Sequence, residues 1–326
     1  MTLKELYHTT LGGIHKKLKA SYYLRGYWLM LTPRALRRWQ AQRRLAAYDR
    51  LPADVQQHID DRVAYYCRPH QPATLPADAP RLRDNRLKKP RLVKQTVYYF
   101  DSMEYTRCFD PELRWQIIGG DVNTEAPVAS ITKSRPIPDP DAPSNNVLLK
   151  LNKTRHFIFF HDPFRWEQKQ TRIIFRGVVL TKENRRRFIE MWQHHPLCDL
   201  QDTYTGMSLY DHLHYRYIMA LEGNDVATNL KWIMSSNSIA VMPHPTCETW
   251  FMEGRLIPNY HYIEIADDFH DLIDRITYYE EHPDEAKQII AHANEWTRQF
   301  QNNKVEDIIS LKVMQKYLEM TNDHQH

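Results

Sequence analysis

From residue 171 onward the chain alternates short apolar runs with amphipathic stretches, and this alternation restricts the fold more than any other feature. TRIIFRG, LCDLQD, YIMALEG, SIAVMP and HYIEIAD read as strands. TKENRRRFIEMWQHH, SLYDHLHYR, VATNLKWIMSSN, CETWFMEG and FHDLIDRITYYEEHP read as the helices between and after them. Strands spaced by helical segments of this length imply parallel βαβ units with both sheet faces covered. PDEAKQIIAHANEWTRQF and VEDIISLKVMQKYLEM close the chain as helices, and no internal repeat is present.

The first half is less regular. Helical periodicity is predicted over Leu3 to Lys19, Pro33 to Tyr48 and Leu51 to Cys67, followed by a Pro- and Arg-rich connector over 68–93. QTVYYFD then reads as a strand, MEYTRCF as a helical turn and RWQIIGG as a strand. The Pro-rich stretch 134–146 reads as a loop leading into VLLKLN and HFIFFHD. At 326 residues the chain has room for two α/β lobes. The expected division is a helical basic extension and connector over 1–93, a first lobe over 94–195 and a second over 196–326.

Charge is unevenly placed. Residues 1–50 hold eleven Lys and Arg against Glu5 and Asp49, a net of +9, which leaves the rest of a +4 chain at −5. With Tyr22, Tyr23, Tyr27, Trp28 and Trp39 interleaved, this segment suits an anionic membrane surface. A solvated helical hairpin with arginine-rich outer faces accounts for the same pattern. Nucleic acid is the weakest reading, because no DNA- or RNA-binding motif accompanies the charge. No apolar run approaches the roughly 20 residues of a membrane span, and the N-terminus lacks the apolar core of a signal peptide. Cys67, Cys108, Cys198 and Cys247 lie far apart with no CxxC, which predicts neither zinc nor disulfides and fits a reducing cytoplasm.

In open parallel sheets, ligands bind beyond the carboxyl ends of strands, where helix N-termini offer free N–H groups to phosphate. Three loops have that sequence context. FRG (175–177) precedes the helix with Arg185, Arg186 and Arg187; EGND (222–225) precedes one with Lys231; PHPTCE (243–248) is expected to open a helix at CETWFMEG. Together they suggest a nucleotide-diphosphate ligand, with Arg176 and Lys231 neutralising phosphate and Glu248 accepting from ribose hydroxyls. Neither GxGxxG nor GxxxxGK[ST] is present, which argues against a dehydrogenase or a P-loop kinase. Each residue also has a plainer reading. Lys231 serves equally as a solvated helix lysine, Glu222 as the partner of a nearby arginine, and the arginine triplet as an exposed face. His194, His195, His212 and His214 lack the spacing and carboxylate company of a zinc site.

The block HYRYIMALEGNDVATNLKWIMSSNSIAVMPHPTCETWFMEGRLIPNYHYIEIADDFHDLIDRI resembles the C-terminal half of glycosyltransferase family 90. The likeness extends upstream through IIFRG and, more weakly, GDVNTEAPVASITKSRPI, covering about residues 95–300, and EGNDVA is closest to the bacterial lipopolysaccharide branch. The resemblance implies a GT-B arrangement of two Rossmann-like lobes, with a UDP-sugar held mainly by the C-terminal lobe and no bound metal. Donor contacts would fall to Arg176, Gly177, Glu222, Gly223, Asn224, Asp225, Asn229, Lys231 and Glu248. Lys133, Arg135 and Arg186 are further phosphate or acceptor candidates. Eukaryotic members tend to carry an arginine where Asn229 stands, so Lys231, Arg176 or Lys133 would supply the missing charge. The family is inverting, which requires a base on the acceptor hydroxyl. The matching position is Asp121, with Glu125, Asp101 and Asp162 as runners-up.

These implications describe a cytoplasmic enzyme, peripheral to the inner membrane, moving glucose or galactose from a UDP-sugar to a lipopolysaccharide or lipooligosaccharide core. A non-catalytic nucleotide- or polyanion-binding protein, or a transferase using another nucleotide-activated donor, are the alternatives.

Overall fold

The computed structural model describes residues 20–86, 94–139, 142–179, 181–202 and 207–322. The described chain divides into two units. A helical unit takes 20–154, 247–252 and the residues from Phe300; a sheet unit takes 155–246 and 253–299. The helix expected over Leu3 to Lys19 lies outside the described residues.

The helical unit begins with α1 (20–31), α2 (Arg34–Tyr48) and α3 (Ala53–Tyr66). Pro33 and Pro52 stand just ahead of α2 and α3, where a missing N–H costs nothing. Next comes α4 (Lys94–Thr106), on which QTVYYFD lies, so the expected strand there is corrected. Val97, Phe100, Asp101, Met103, Glu104 and Tyr105 of α4 are all buried. Burial on several faces leaves no polar stripe to betray a helix, and packing overrides the β-propensity of the aromatic run. Leu29 of α1 packs on Phe100 and Met103. A Cβ at Gly26 would stand 2.7 Å from the Phe100 ring, so glycine permits the close approach.

RWQIIGG forms only isolated bridges at Arg114 and Ile117 rather than a strand. Then β1 (Ser130–Thr132) pairs in parallel with β3 (Asn146–Leu148), while β2 (Ser134–Pro136) begins inside the stretch expected to be loop. A helical turn, α5 (Lys153–His156), ends this part of the chain.

The sheet unit carries the alternating region. Its elements are β4 (Gln170–Arg176), α6 (Glu183–Trp192), β5 (Cys198–Gln201), α7 (Leu209–His212), β6 (Tyr215–Met219), α8 (Leu230–Met234) and β7 (Ile239–Met242). The chain then supplies β8 (Cys247–Thr249) to the helical unit, antiparallel to β2. This corrects the expected helix at CETWFMEG, and the reason is visible in the register. Glu248 faces Arg135 across the two strands and binds it. Returning, the chain adds β9 (Ile263–Glu264), α9 (Leu272–Glu281) and α10 (Pro283–Arg298), and ends with α11 (Asn303–Asn322) in the helical unit.

The five strands are all parallel, in the order β5-β4-β6-β7-β9. Ile173, Phe175, Tyr217, Met219, Val241 and Ile263 join Phe188, Leu272 and Ile276 of the flanking helices in one core. Each such buried side chain contributes about 1.5–3 kcal/mol relative to exposure. The expected domain boundary at 195/196 is corrected: β4 pairs with both β5 and β6, so it belongs with them and the boundary falls at 154/155. Residues 20–86 are likewise no separate extension, since α3 packs on α11 and Arg62 binds Glu306 at 2.5 Å. Among the described residues no helix is long and apolar enough to cross a membrane.

Candidate active site

The strand order places a reversal point between β4 and β6. From β4 the chain moves outward to β5, then crosses back to β6, the topology beside which parallel sheets hold their ligands. The loops after β4, β6 and β7 are tied to one another by side chains. Glu222 accepts from Thr246 N at 3.1 Å and Thr246 Oγ1 at 2.5 Å, joining the β6 loop to the β7 loop. Gly223 N donates to Asp225 O at 3.2 Å, closing the tight turn of EGND. Lys182 donates to Asn224 Oδ1, and Asn184 Nδ2 donates to Glu222 O at 3.3 Å.

Arg185 is the hub that residue spacing did not single out. Its guanidinium donates to the carbonyls of Leu221 (2.8 Å), Glu222 (3.2 Å) and Val178 (3.2 Å), bridging the loops on either side of the reversal point. A Cβ on Gly223 would come 3.1 Å from Arg185 Nη2, so glycine leaves the guanidinium its seat. Successive helix residues point about 100° apart, which separates the three arginines that look alike in the sequence. Arg186 turns outward to Glu183 and Glu190 on an exposed face, and Arg187 donates to Asp267 O.

Other expected donor residues have structural partners. Arg176 is buried and donates to Phe175 O (2.9 Å), Asp199 O (2.7 Å) and Asp199 Oδ1 (2.6 Å), fastening β4 to β5. Burial pushes the Asp199 carboxyl up, but hydrogen bonds from Tyr215 and Arg176 outweigh it and hold the group below the usual aspartate range. Gly177 is needed for space, since a Cβ there would meet the Phe175 ring at 2.9 Å. Asp225 is buried. Lys231 is not solvated: it is fully buried and paired with buried Glu253. The helix expected over 226–237 shrinks to Leu230–Met234, with Asn229 at its cap position donating through Nδ2 to Met219 O at 2.9 Å. Five residues align too few peptides for the dipole expected there.

Asp121, Lys133, Arg135 and Glu248 belong to the helical unit. Arg135 and Glu248 are fully buried; Arg135 Nε binds Glu248 Oε1 at 2.7 Å and Tyr65 donates to Glu248 Oε2. Glu248 therefore serves as the centre of a buried charge pair. Lys133 Nζ lies 2.6 Å from Asp121 Oδ1; the lysine side chain is 2% exposed, whereas that of Asp121 is 28% exposed. The rival carboxylates have partners of their own. Asp101 is buried, accepts from Tyr22 (2.8 Å) and Lys153 N (3.1 Å), and is pushed by burial to a pKa of about 6. Asp162 is buried against Lys169 at 2.7 Å and also accepts from Phe164 N and Asn237 N. Glu125 accepts from Ser144 and Asn145 N in a surface turn. Among the described residues no three His, Cys, Asp or Glu side chains form a group able to hold a metal ion.

A sequence model described as Glycosyl transferase family 90 matches residues 160–324. O-glucosyltransferase LpsA of Dichelobacter nodosus is 39% identical over 312 residues, covering 93% of this chain and 96% of the relative. The chain belongs to glycosyltransferase family 90. It is a glycosyltransferase, which sets aside the non-catalytic alternative. Protein O-glucosyltransferase 2 of Danio rerio is 26% identical over 114 residues, 35% of this chain and 23% of its own. The family match takes in the whole tied loop cluster around Arg185, while Asp121, Lys133 and Arg135 lie upstream of it.

Proposed function

We propose that this family 90 member is an inverting, metal-independent hexosyltransferase that moves glucose from a UDP-sugar to a lipopolysaccharide or lipooligosaccharide core. Galactose is the second donor candidate. The observation that carries the reading is the O-glucosyltransferase relative aligned over nearly the full length of both chains. In this reading the units adopt a GT-B arrangement. The loop cluster of Lys182, Arg185, Glu222, Gly223 and Asn224 forms the donor side, and the helical unit meets the acceptor. Asp121 takes the proton from an acceptor hydroxyl. The hydroxyl oxygen then attacks the anomeric carbon from the face opposite UDP, the glycosidic bond forms, and the bond to UDP breaks with its electron pair leaving on the diphosphate. Lys133, 2.6 Å away, orients the Asp121 carboxylate. The basic helices at the start of the helical unit meet the cytoplasmic face of the inner membrane, where the core acceptor is anchored.

The experiment is a thermal-shift panel of UDP, GDP, CMP and ADP with and without Mg²⁺, paired with NMR of the anomeric configuration of the product. Stabilisation by UDP alone, unaltered by chelator, together with an inverted anomer supports the reading. Preference for GDP or CMP overturns the donor class, and a retained anomer overturns the single-displacement chemistry.

A further inference from the structure

Helix α1 carries two apolar stripes. The inner one, centred on Leu29, is seated against Phe100 and Met103. The outer one consists of Leu24, Trp28 and Leu31, at the i, i+4, i+7 spacing of a single helix face, with Tyr27 beside it, part exposed and edge-on to Phe100. Leu24 is 71% exposed, Trp28 62% and Leu31 84%. On α2, Leu36 and Trp39 are exposed as well. These six residues, all within 24–39, make up most of the eleven exposed large hydrophobics among the described residues. Isolated exposed apolar residues are ordinary; such a concentration marks a surface that meets something.

The charge around this ridge identifies what it meets. Residues 20–50 contain seven arginines and no lysine, against Asp49 as the sole acid. Arg37 is buried; Arg25 is exposed but paired with buried Glu104, Arg38 is exposed 3.8 Å from Asp110, and the exposed Arg43 guanidinium lies 4.8 Å from the Trp39 ring centroid. Guanidinium groups bind phosphate oxygens bidentately, and tryptophan and leucine settle at the boundary between headgroups and acyl chains. Another folded protein would need complementary acidic and apolar groups in register. A bilayer of anionic phospholipid supplies phosphate and hydrocarbon without any register.

We propose that the outer face of α1 and α2 is a membrane-docking surface in which Leu24, Trp28, Leu31 and Trp39 insert into anionic phospholipid and the flanking arginines hold its headgroups. This deepens the membrane contact of the proposed function and rests on the acceptor being lipid-anchored. Because Gly26 lets α1 sit directly on Phe100, the ridge is held on a packed base.

The test uses the full chain and vesicles of phosphatidylcholine alone or mixed with phosphatidylglycerol. Wild type is expected to float with the mixed vesicles, to release with rising salt, and to show tryptophan quenching by acyl-brominated lipid that diminishes in Trp28→Phe. The triple variant Leu24→Ser, Trp28→Ser, Leu31→Ser is expected to lose vesicle binding by about tenfold or more while melting as wild type does. Transfer to a water-soluble core oligosaccharide should be unchanged in that variant, and transfer to core glycolipid in vesicles should fall. Equal vesicle binding by wild type and triple variant overturns the proposal. So does a wild-type dimer in sedimentation that the triple variant dissolves, since the face would then cover a second copy. Failure of wild type on the soluble acceptor would count against the proposed reaction instead, leaving the vesicle result to stand by itself.

Discussion

Two lysines expected to meet phosphate, one in each unit, are both buried and each paired with a carboxylate. Lys231 and Glu253 of the sheet unit are both sealed from solvent. Lys133 of the helical unit is just as buried, but its partner Asp121 keeps 28% of its side chain exposed. A sealed pair holds a fold together and reaches no substrate. A pair with the lysine inside and the carboxylate at the surface can orient an acid while leaving it access to a hydroxyl. In the proposed reading, exposure of the carboxylate rather than the presence of the lysine separates scaffold from chemistry.

The sealed pair should show the largest stability effect. Lys231→Met leaves Glu253 buried without its counter-charge and is expected to cost about 3–5 kcal/mol. Adding Glu253→Leu should recover most of the loss, because an apolar pair of similar volume fits the same space. Thermal and urea unfolding measure both; a single variant that melts like wild type would show that the pair is not sealed. Next in size is Arg185→Gln, which withdraws the charged donor from three loop carbonyls. The expected result is a donor KM raised about tenfold, with kcat changed far less, as unsatisfied carbonyls let the loops loosen. An unchanged donor KM would remove the loop cluster from the donor site.

The smallest effect concerns a rival carboxylate that burial has closed off. Asp101 has its pKa raised by burial from 3.8 to about 6, so between those values the folded chain binds more protons than the unfolded one. Stability from this group is therefore complete below the ordinary aspartate value and is lost as pH rises through about 6. Glu104, one turn along α4, runs the other way. Burial alone would raise it, but Lys153 and Arg25 bring it down to about 2, so its stabilisation is present above 4.5 and lost as pH falls towards 2. Urea midpoints between pH 4 and 7 should flatten in Asp101→Asn, while the acid limb of the transfer rate stays where it was. Movement of that limb would make Asp101 the base.

The parallel sheet was legible because TRIIFRG, YIMALEG and SIAVMP have apolar centres separated by helical lengths, the pattern expected of doubly covered strands. QTVYYFD was not, because α4 is buried on several faces and carries β-favouring aromatics. β8 was hidden for a different reason: Cys247–Thr249 is a strand only because Arg135, more than a hundred residues earlier, supplies the partner for Glu248. Local periodicity carries no trace of such a pairing. In the site, Glu222, Gly223 and Asn224 were readable from the strand-to-helix turn. Arg185 was hidden among three identical neighbours, and its role depends on where α6 points each of them.

The most direct measurement is transfer by Asp121→Asn. The amide keeps the size of the side chain but accepts no proton, so kcat is expected to fall by about 10²–10⁴. UDP affinity should stay at the wild-type value, because Asp121 lies outside the loop cluster, while the melting temperature should fall somewhat as buried Lys133 loses its counter-charge. Transfer at the wild-type rate in that variant would contradict the assignment of the partly exposed carboxylate as the base.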